Sequence, residues 1–177
     1  MKGEVIIPLS KLKIKWMIVG SISLILLSIL LFETADTFMS TDFSKTVSEV
    51  AGIAGILFFS LALFYAFKKL KSNDPGLIIT KLGFIDNSSG ISAGLVEWRD
   101  VTGFKEFTTE NTKNLVVLVS NPDEYIQRAD SFVAKKMMQA NNKIFKSPIA
   151  IAAVSLTINY EELKALIING YENYINK

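Results

Sequence analysis

Polar side chains that could carry chemistry cluster in one short stretch of the chain, Asp86-Asn87-Ser88-Ser89, which Gly90 follows. A carboxylate beside hydroxyls is a candidate for general-base or ligand-binding chemistry, and loops between strands often carry such residues. The same residue types also stabilise turns, because their side chains hydrogen-bond to the nearby backbone. The stretch is therefore a candidate loop site, but we favour a strand connection.

Lysines form the second candidate group, in two runs. The first run ends a long apolar segment, and the second lies between Ser131 and Tyr160, where the sequence has no Asp or Glu. Clustered lysines attract anionic lipid headgroups, although a basic run is more simply a solvated helix face. The candidate contacts to a membrane or a partner are Lys68, Lys69, Lys71, Lys135, Lys136, Lys143 and Lys146.

The composition limits the catalytic groups and metal ligands that the chain can provide, because its 177 residues include no histidine and no cysteine. It therefore has no Ser-His-Asp triad, no Cys-His pair and no imidazole or thiolate metal ligand. We expect no enzyme activity and no cofactor. Residues 72 to 177 carry 11 Lys and Arg against 12 Asp and Glu, a formal charge of −1. Nucleic-acid-binding domains are usually strongly basic, so we expect no nucleic-acid partner.

Two long apolar segments are the elements that would position these polar side chains. Residues 16 to 32 and 50 to 67 contain no charged residue over 17 and 18 positions. At 1.5 Å per residue each reaches roughly 25 to 27 Å, close to the ~30 Å hydrocarbon thickness of a bilayer. They predict transmembrane helices at 16–32 and 47–67, joined by an extracytoplasmic linker at 33–46. A cleaved signal peptide and a buried core helix are the respective alternatives.

Charge at the ends of these segments predicts their orientation. Lysines precede the first segment at residues 11, 13 and 15 and follow the second, whereas the linker has three acidic residues and one lysine. Positive charge is retained on the cytoplasmic side during insertion. We therefore expect an inner (plasma) membrane protein with both termini cytoplasmic, comprising an N-terminal segment at 1–15 and a domain at 72–177.

The domain at 72–177 alternates between strand patterns and turn residues, with one helical interruption. The helix is expected at 122–141 after Asn121-Pro122, with an apolar stripe that includes Val133 and Met137. Met137 and Met138 are expected in the core. A second helix is expected after the capping-box pair Asn159 and Glu162. Strands are predicted at 77–80, 84–86, 95–98, 101–110, 115–120 and 149–158, the last being one long strand or two short ones.

Several single residues carry expectations of their own. Trp98 is expected in the core, and the charged residues Glu97, Arg99 and Asp100 on the surface. Gly103 predicts a bulge in its strand, and Gly170 is expected to weaken the final helix. In the second apolar segment, residues 51 and 55 form a small-xxx-small pair that suits packing against the first segment, with homo-oligomerisation through the transmembrane helices as the alternative.

Four stretches carry a resemblance to a known family: IPLSK at 7–11, residues 75–101, NPDEYI at 121–126 and residues 137–145. They resemble small two-span bacterial membrane proteins, of Bacteroidetes type and unknown function, with a pleckstrin-homology-like domain. The resemblance implies an α+β fold: a two-helix transmembrane hairpin followed by an antiparallel β domain with an inserted helix and a C-terminal capping helix. That superfold has seven strands, so residues 4–8 are predicted to add an edge strand.

These expectations favour a membrane-anchored cytoplasmic module that binds or scaffolds. Its partners would be the lipid bilayer and either lipid headgroups or an unknown protein, at a shallow surface. The alternative is a membrane-bound enzyme that uses carboxylate, hydroxyl and lysine chemistry, with Asp86, Ser88 and Ser89 as the first residues to test. An enzyme predicts a concave pocket with perturbed titratable groups.

Overall fold

The protein is described by a computed structural model that covers residues 4–89, 91–109 and 112–176. The chain divides into two compact units. Residues 11–72 form the helical unit, and residues 1–10 together with 73–177 form the β unit. The helical unit is therefore inserted into the sequence of the β unit, which extends the predicted domain at 72–177 by an N-terminal segment.

The helical unit consists of α1 (Lys11–Glu33), α2 (Ala35–Phe38) and α3 (Asp42–Lys71). α1 and α3 pack against each other and are longer than the apolar segments, because their polar ends continue the helices. Both are long and apolar enough to cross a membrane, each with a mean hydropathy of 2.2 over its most apolar 18 residues. The short α2 within the linker was not predicted.

Small residues mediate the contact between α1 and α3. Ser28 and Ser48 are buried, and a Cβ atom added to Gly52 would lie 2.8 Å from the Cβ of Phe32. Ala51 is exposed, so the predicted small-residue pair is wrong in its first member, and Gly52 provides the close approach instead. Gly55, the second member of the pair, does face α1, because an added Cβ there would meet the side chain of Ser28.

The β unit contains two antiparallel sheets, each with its strands in chain order. The first sheet has four strands: β1 (Val5–Ile7), β2 (Leu77–Ile79), β3 (Gly83–Asp86) and β4 (Leu95–Glu97). The second has three: β5 (Val101–Thr109), β6 (Thr112–Val119) and β7 (Ile149–Ala152). A 3-10 turn at Trp98–Asp100 connects them. The molecule is thus α+β, with two long apolar helices followed by antiparallel sheets.

The strand expected at residues 4–8 is present as β1. It pairs with β2 from Val5 opposite Ile79 to Ile7 opposite Leu77. The segment after β1 is also hydrogen-bonded to the β unit, since the backbone N–H of Thr157 donates to the carbonyl of Pro8 at 3.2 Å. Residues from before the first apolar helix therefore complete a sheet formed after the second.

Other strand boundaries differ locally from the predictions. β6 begins at Thr112 rather than residue 115, and β7 ends at Ala152, so residues 153–158 do not continue it as a strand. Trp98 belongs to the 3-10 turn rather than to β4. The bulge predicted around Gly103 is present as a register shift between Val101 and Gly103.

The single helix predicted at 122–141 is wrong. The structure has α4 (Pro122–Gln127) and α5 (Phe132–Phe145), and the Ser131 side chain starts α5 by accepting a hydrogen bond from Ala134 N–H at 3.1 Å. A second helix start resets the helical register. As a result Met138 is buried as expected, whereas Met137 is exposed and does not belong to the core.

The C-terminal helix α6 (Tyr160–Ile175) begins at the predicted capping box of Asn159 and Glu162. It buries Leu163 and Ile167 against the sheets, next to Trp98. Trp98 is in the core as predicted, and its Nε1–H donates to the carbonyl of Thr80 at 3.1 Å. The α6 residue that faces this ring is Gly170, whose added Cβ would lie 2.7 Å from Trp98 Cζ2. Gly170 therefore makes room for the indole rather than merely weakening the helix.

Candidate functional site

The loop that follows β3 is held by its own polar groups. Asp86 and Ser88 are buried, and the carboxylate of Asp86 accepts a hydrogen bond from Ser88 N–H at 2.8 Å. Ser155 Oγ donates to the carbonyl of Ser88 at 2.6 Å. A carboxylate that accepts from the backbone two residues later is the ordinary chemistry of an Asx turn.

The other two residues of the predicted loop site also bond locally. Asn87 N–H donates to the carbonyl of Gly76 at 2.8 Å, and Asn87 Nδ2 donates to the carbonyl of Pro75 at 3.3 Å. The hydroxyl of Ser89 and the backbone of Ile91 lie 3.2 Å apart in mutual hydrogen-bond contact. The structure therefore brings Asp86, Asn87, Ser88 and Ser89 together as a strand connection.

Beside this loop is a cavity of about 10 Å³, which Phe84, Asp86, Val96, Met138 and Pro148 help to line. That volume is close to the minimum for a single water molecule, whereas sites for small organic ligands are about 300–1,000 Å³. Within the described ranges, no group of three or more acidic side chains converges on a potential metal position. The geometry at Asp86 is that of a packed turn.

Asp100, which we expected at the surface, takes part in a partly buried network. Its carboxylate accepts a hydrogen bond from Tyr125 Oη at 2.6 Å, and Tyr125 Oη accepts one from Glu97 N–H at 3.2 Å. Burial, together with the bond to Asp100, raises the pKa of Tyr125 to about 12. Arg128 stacks on the Tyr125 ring and pairs with Glu124. This network attaches α4 to the turn between the sheets.

The first lysine run occupies the last turn of α3, where Lys68, Lys69 and Lys71 complement the negative end of the helix dipole. A further lysine contributes there. Lys11 Nζ donates to the carbonyls of Leu70 and Ser72, each at 2.6 Å, and so satisfies groups that the helix end leaves unpaired. The sequence placed Lys11 beside a span but did not indicate this contact, because it joins residues about sixty positions apart.

The second lysine run lies on α5 and at its C-terminal cap. Lys135, Lys136, Lys143 and Lys146 are all exposed. Lys146 adopts a left-handed conformation with φ of 63°, a backbone geometry that favours glycine. Lys136 Nζ lies 5.4 Å from the ring centre of Phe132, so this lysine covers one apolar neighbour.

Large apolar side chains accompany these lysines on the exterior of α5. The exposed fractions are 73% for Phe132, 66% for Val133, 49% for Met137 and 67% for Ile144. Sequence reasoning missed them, because it assigned Val133 and Met137 to the buried stripe of a longer helix. We define the α5 surface as these four apolar residues with Lys135, Lys136, Lys143 and Lys146.

Comparison with known proteins identifies no relative whose binding site could be compared with this one. Searches with protein-family models, against curated proteins and against solved structures find no significant match to this chain. The α5 surface combines four exposed apolar side chains with four lysines, and it is the surface interpreted below.

Proposed function

We propose that this protein is a membrane-anchored binding or scaffolding module. In this proposal α1 and α3 span the bilayer and the β unit binds at its surface. The observation that carries the proposal is that both helices are long and strongly apolar. Most large apolar side chains of α1 and α3 are exposed although both helices are strongly apolar, which suits lipid as their solvent.

We also propose that the spans lie in the inner (plasma) membrane with both chain termini in the cytoplasm. The lysines at the start of α1 and the end of α3 support this orientation, because basic residues are retained on the cytoplasmic side. Asp36 and Asp42, between the two spans, sit in the segment expected to be translocated. Asp36 pairs with Lys45 at 3.3 Å, which offsets the one basic residue there.

The third element of the proposal is that the β unit is pleckstrin-homology-like. Seven strands in the described part of the chain, arranged as a four-stranded and a three-stranded antiparallel sheet, support it. The helix α6 packs its buried face against the core that the two sheets share. Six of these strands correspond to those predicted within residues 77–158, and β1 is the seventh.

Lipid headgroups or a protein are the partners proposed for the β unit. The α5 surface supports a binding role, because a combination of exposed apolar and charged side chains is typical of an interaction surface. A module tethered to a bilayer encounters partners there at a high effective concentration, so a shallow surface of modest affinity suffices.

The absence of cysteine allows a direct test of this arrangement. Single cysteines at Ser40→Cys in the linker, Leu57→Cys in α3 and Gln127→Cys at the end of α4 are probed with a membrane-impermeant maleimide. We expect Ser40→Cys to react in intact cells, Gln127→Cys only after permeabilisation, and Leu57→Cys under neither condition. If Gln127→Cys reacts in intact cells, the orientation is the reverse of the one proposed. Recovery of the chain in the soluble fraction would refute the membrane anchor.

A further inference from the structure

We propose that the α5 surface binds an anionic lipid bilayer. In this proposal Val133, Met137 and Ile144 enter the boundary between headgroups and acyl chains, while Lys136 and Lys143 contact headgroup phosphates. The inference rests on the proposed function, since the bilayer in question is the one that α1 and α3 span. It deepens that function by naming lipid as the ligand and one helix face as the contact.

The apolar part of this surface forms a single stripe. At 100° per residue, Val133, Met137 and Ile144 lie within about 40° of one another around the α5 axis. Ala134 and Met138, each about 100° farther around the axis than Val133 and Met137, are buried in the β unit, so the stripe lies beside the packed face of the helix and not within it. A continuous apolar stripe along an exposed helix is what an interfacial helix presents to lipid.

The lysines lie next to this stripe. Lys136 and Lys143 are about 60° to 80° around the axis from Val133, on the side away from the buried face. Lysine side chains at that position can extend along the helix and keep their ammonium groups in the headgroup region while the stripe contacts acyl chains. Lys135, farther around the helix, and Lys146, at the C-terminal cap beyond it, add longer-range attraction.

The charge of the β unit selects α5 as the face that approaches an anionic membrane. Residues 131–159 contain four lysines and no acidic residue. In the remainder of 72–177, 7 Lys and Arg face 12 Asp and Glu. The unit therefore has a positive region at α5 and a negative remainder, so an anionic surface attracts α5 and repels the rest.

The composition of the α5 surface favours lipid over a protein. Energetically important positions in protein interfaces are enriched in Trp, Tyr and Arg, and none of these residues occurs in α5. Large apolar side chains such as Phe132, with adjacent lysines, are instead typical of helices that lie in a membrane interface. The surface is small, so tethering by α1 and α3 supplies the effective concentration that such weak binding needs.

The test uses the full chain in nanodiscs of phosphatidylcholine alone or mixed with phosphatidylglycerol. Met137→Cys and Ile144→Cys carry an environment-sensitive fluorophore, and Ala165→Cys on the exposed side of α6 is the matched control. Quenching is measured with lipids that carry a nitroxide near the headgroup. We expect blue-shifted, quenched emission at 137 and 144 in anionic nanodiscs and unquenched aqueous emission at 165.

Charge variants test the lysine contribution. Lys136→Gln with Lys143→Gln is compared with Lys81→Gln and Lys105→Gln, which remove the same charge from exposed positions elsewhere. Each lysine near an anionic surface contributes a factor of about five to binding, so the first pair should lower the bound-to-free ratio at 137 roughly 25-fold. The control pair should leave that ratio unchanged. Equal effects of the two pairs would contradict the assignment to α5.

A label at Leu57→Cys, near the middle of its apolar segment, is measured with lipids that carry a nitroxide near the end of the acyl chain. It distinguishes failure of this inference from failure of the proposed function. If that label is quenched by lipid while the labels at 137 and 144 stay aqueous, the membrane anchor holds and the α5 proposal is overturned. Blue-shifted emission at 137 that lipid nitroxides do not quench would also overturn it, because a protein would then cover the stripe. An unquenched label at Leu57 would refute the anchor itself.

Discussion

At the scale of single residues, Tyr125 joins α4 to the turn between the two sheets. Its hydroxyl contacts both the carboxylate of Asp100 and the N–H of Glu97. We predict that Tyr125→Phe lowers the free energy of unfolding of the β unit by about 1–3 kcal/mol, because the variant leaves a partly buried charged acceptor without this donor. Urea unfolding in detergent micelles, followed by Trp98 fluorescence in a Trp16→Phe background, measures the change.

The dependence of this difference on pH provides its control. The pKa of Tyr125 is raised to about 12 in the folded chain, whereas an unfolded tyrosine ionises near pH 10. Its contribution to stability is therefore complete below about pH 10 and is lost as the pH rises toward 12. The stability difference between Tyr125→Phe and the parent should shrink across that range. An equal loss in Tyr174→Phe, which removes an exposed phenol, would assign the effect elsewhere.

Residue roles were predictable where the partners are near in sequence. The turn at Asp86 and Ser88 follows from local chemistry, because an acidic side chain that bonds to the backbone two residues on is a short-range preference. The role of Asp100 was not predictable, since its partner Tyr125 is 25 residues away and is brought there by α4. The same reason hid the contact from Lys11 to the end of α3.

At the scale of elements, α6 and the turn at Trp98 are fitted to each other. The ring of Trp98 occupies the space in front of Gly170, where a Cβ would lie 2.7 Å from it and 3.3 Å from Ile79 Cγ2. We predict that Gly170→Ala destabilises the β unit by about 1 kcal/mol, although alanine is the better helix former. The cost of overpacking against a buried indole, about 1–3 kcal/mol, exceeds the gain in helix propensity of about 1 kcal/mol.

The measurement for Gly170→Ala is the same fluorescence-detected unfolding, with Gly103→Ala as the control. A Cβ added at residue 103 would lie 3.7 Å from Leu118 Cδ1, an ordinary contact. We expect that control to change the unfolding free energy little. A stabilised Gly170→Ala variant would mean that Trp98 moves aside readily and that α6 tolerates a wider spacing.

The elements themselves were predictable to different degrees. The start of α6 follows from Asn159 and Glu162, because a capping box is a local signal that the structure retains. The division between α4 and α5 was missed, since the apolar spacing across Arg128 to Ser131 is close enough to helical to conceal the break. This error displaced the register by one residue and concealed the exposed face of α5.

At the scale of the whole molecule, the β unit is discontinuous in sequence. β1 pairs with β2 across the inserted helical unit, and Leu9 forms an isolated bridge with Leu156. The sequence predicted this strand because GEVII alternates, and because a seven-stranded fold needed one more strand. The pairing register could not be predicted, since it depends on which face of Ile7 and Leu77 the core buries.

This discontinuity predicts that residues 73–177 alone are an incomplete domain. Without β1, the edge of β2 loses its ladder, and the buried side chains of Ile7 and Leu9 leave the core. Removing two such aliphatic side chains costs about 2–5 kcal/mol each, a large part of the stability of a small domain. We predict that a chain of residues 4–10 joined to 73–177 by a flexible Gly/Ser linker unfolds cooperatively, whereas 73–177 unfolds at a much lower urea concentration or is already unfolded.

A control with Ile7→Ser and Leu9→Ser in the linked chain keeps the added length but removes the packing, and it should behave like the truncated chain. Equal unfolding midpoints for all three chains would mean that the first sheet is stable with three strands.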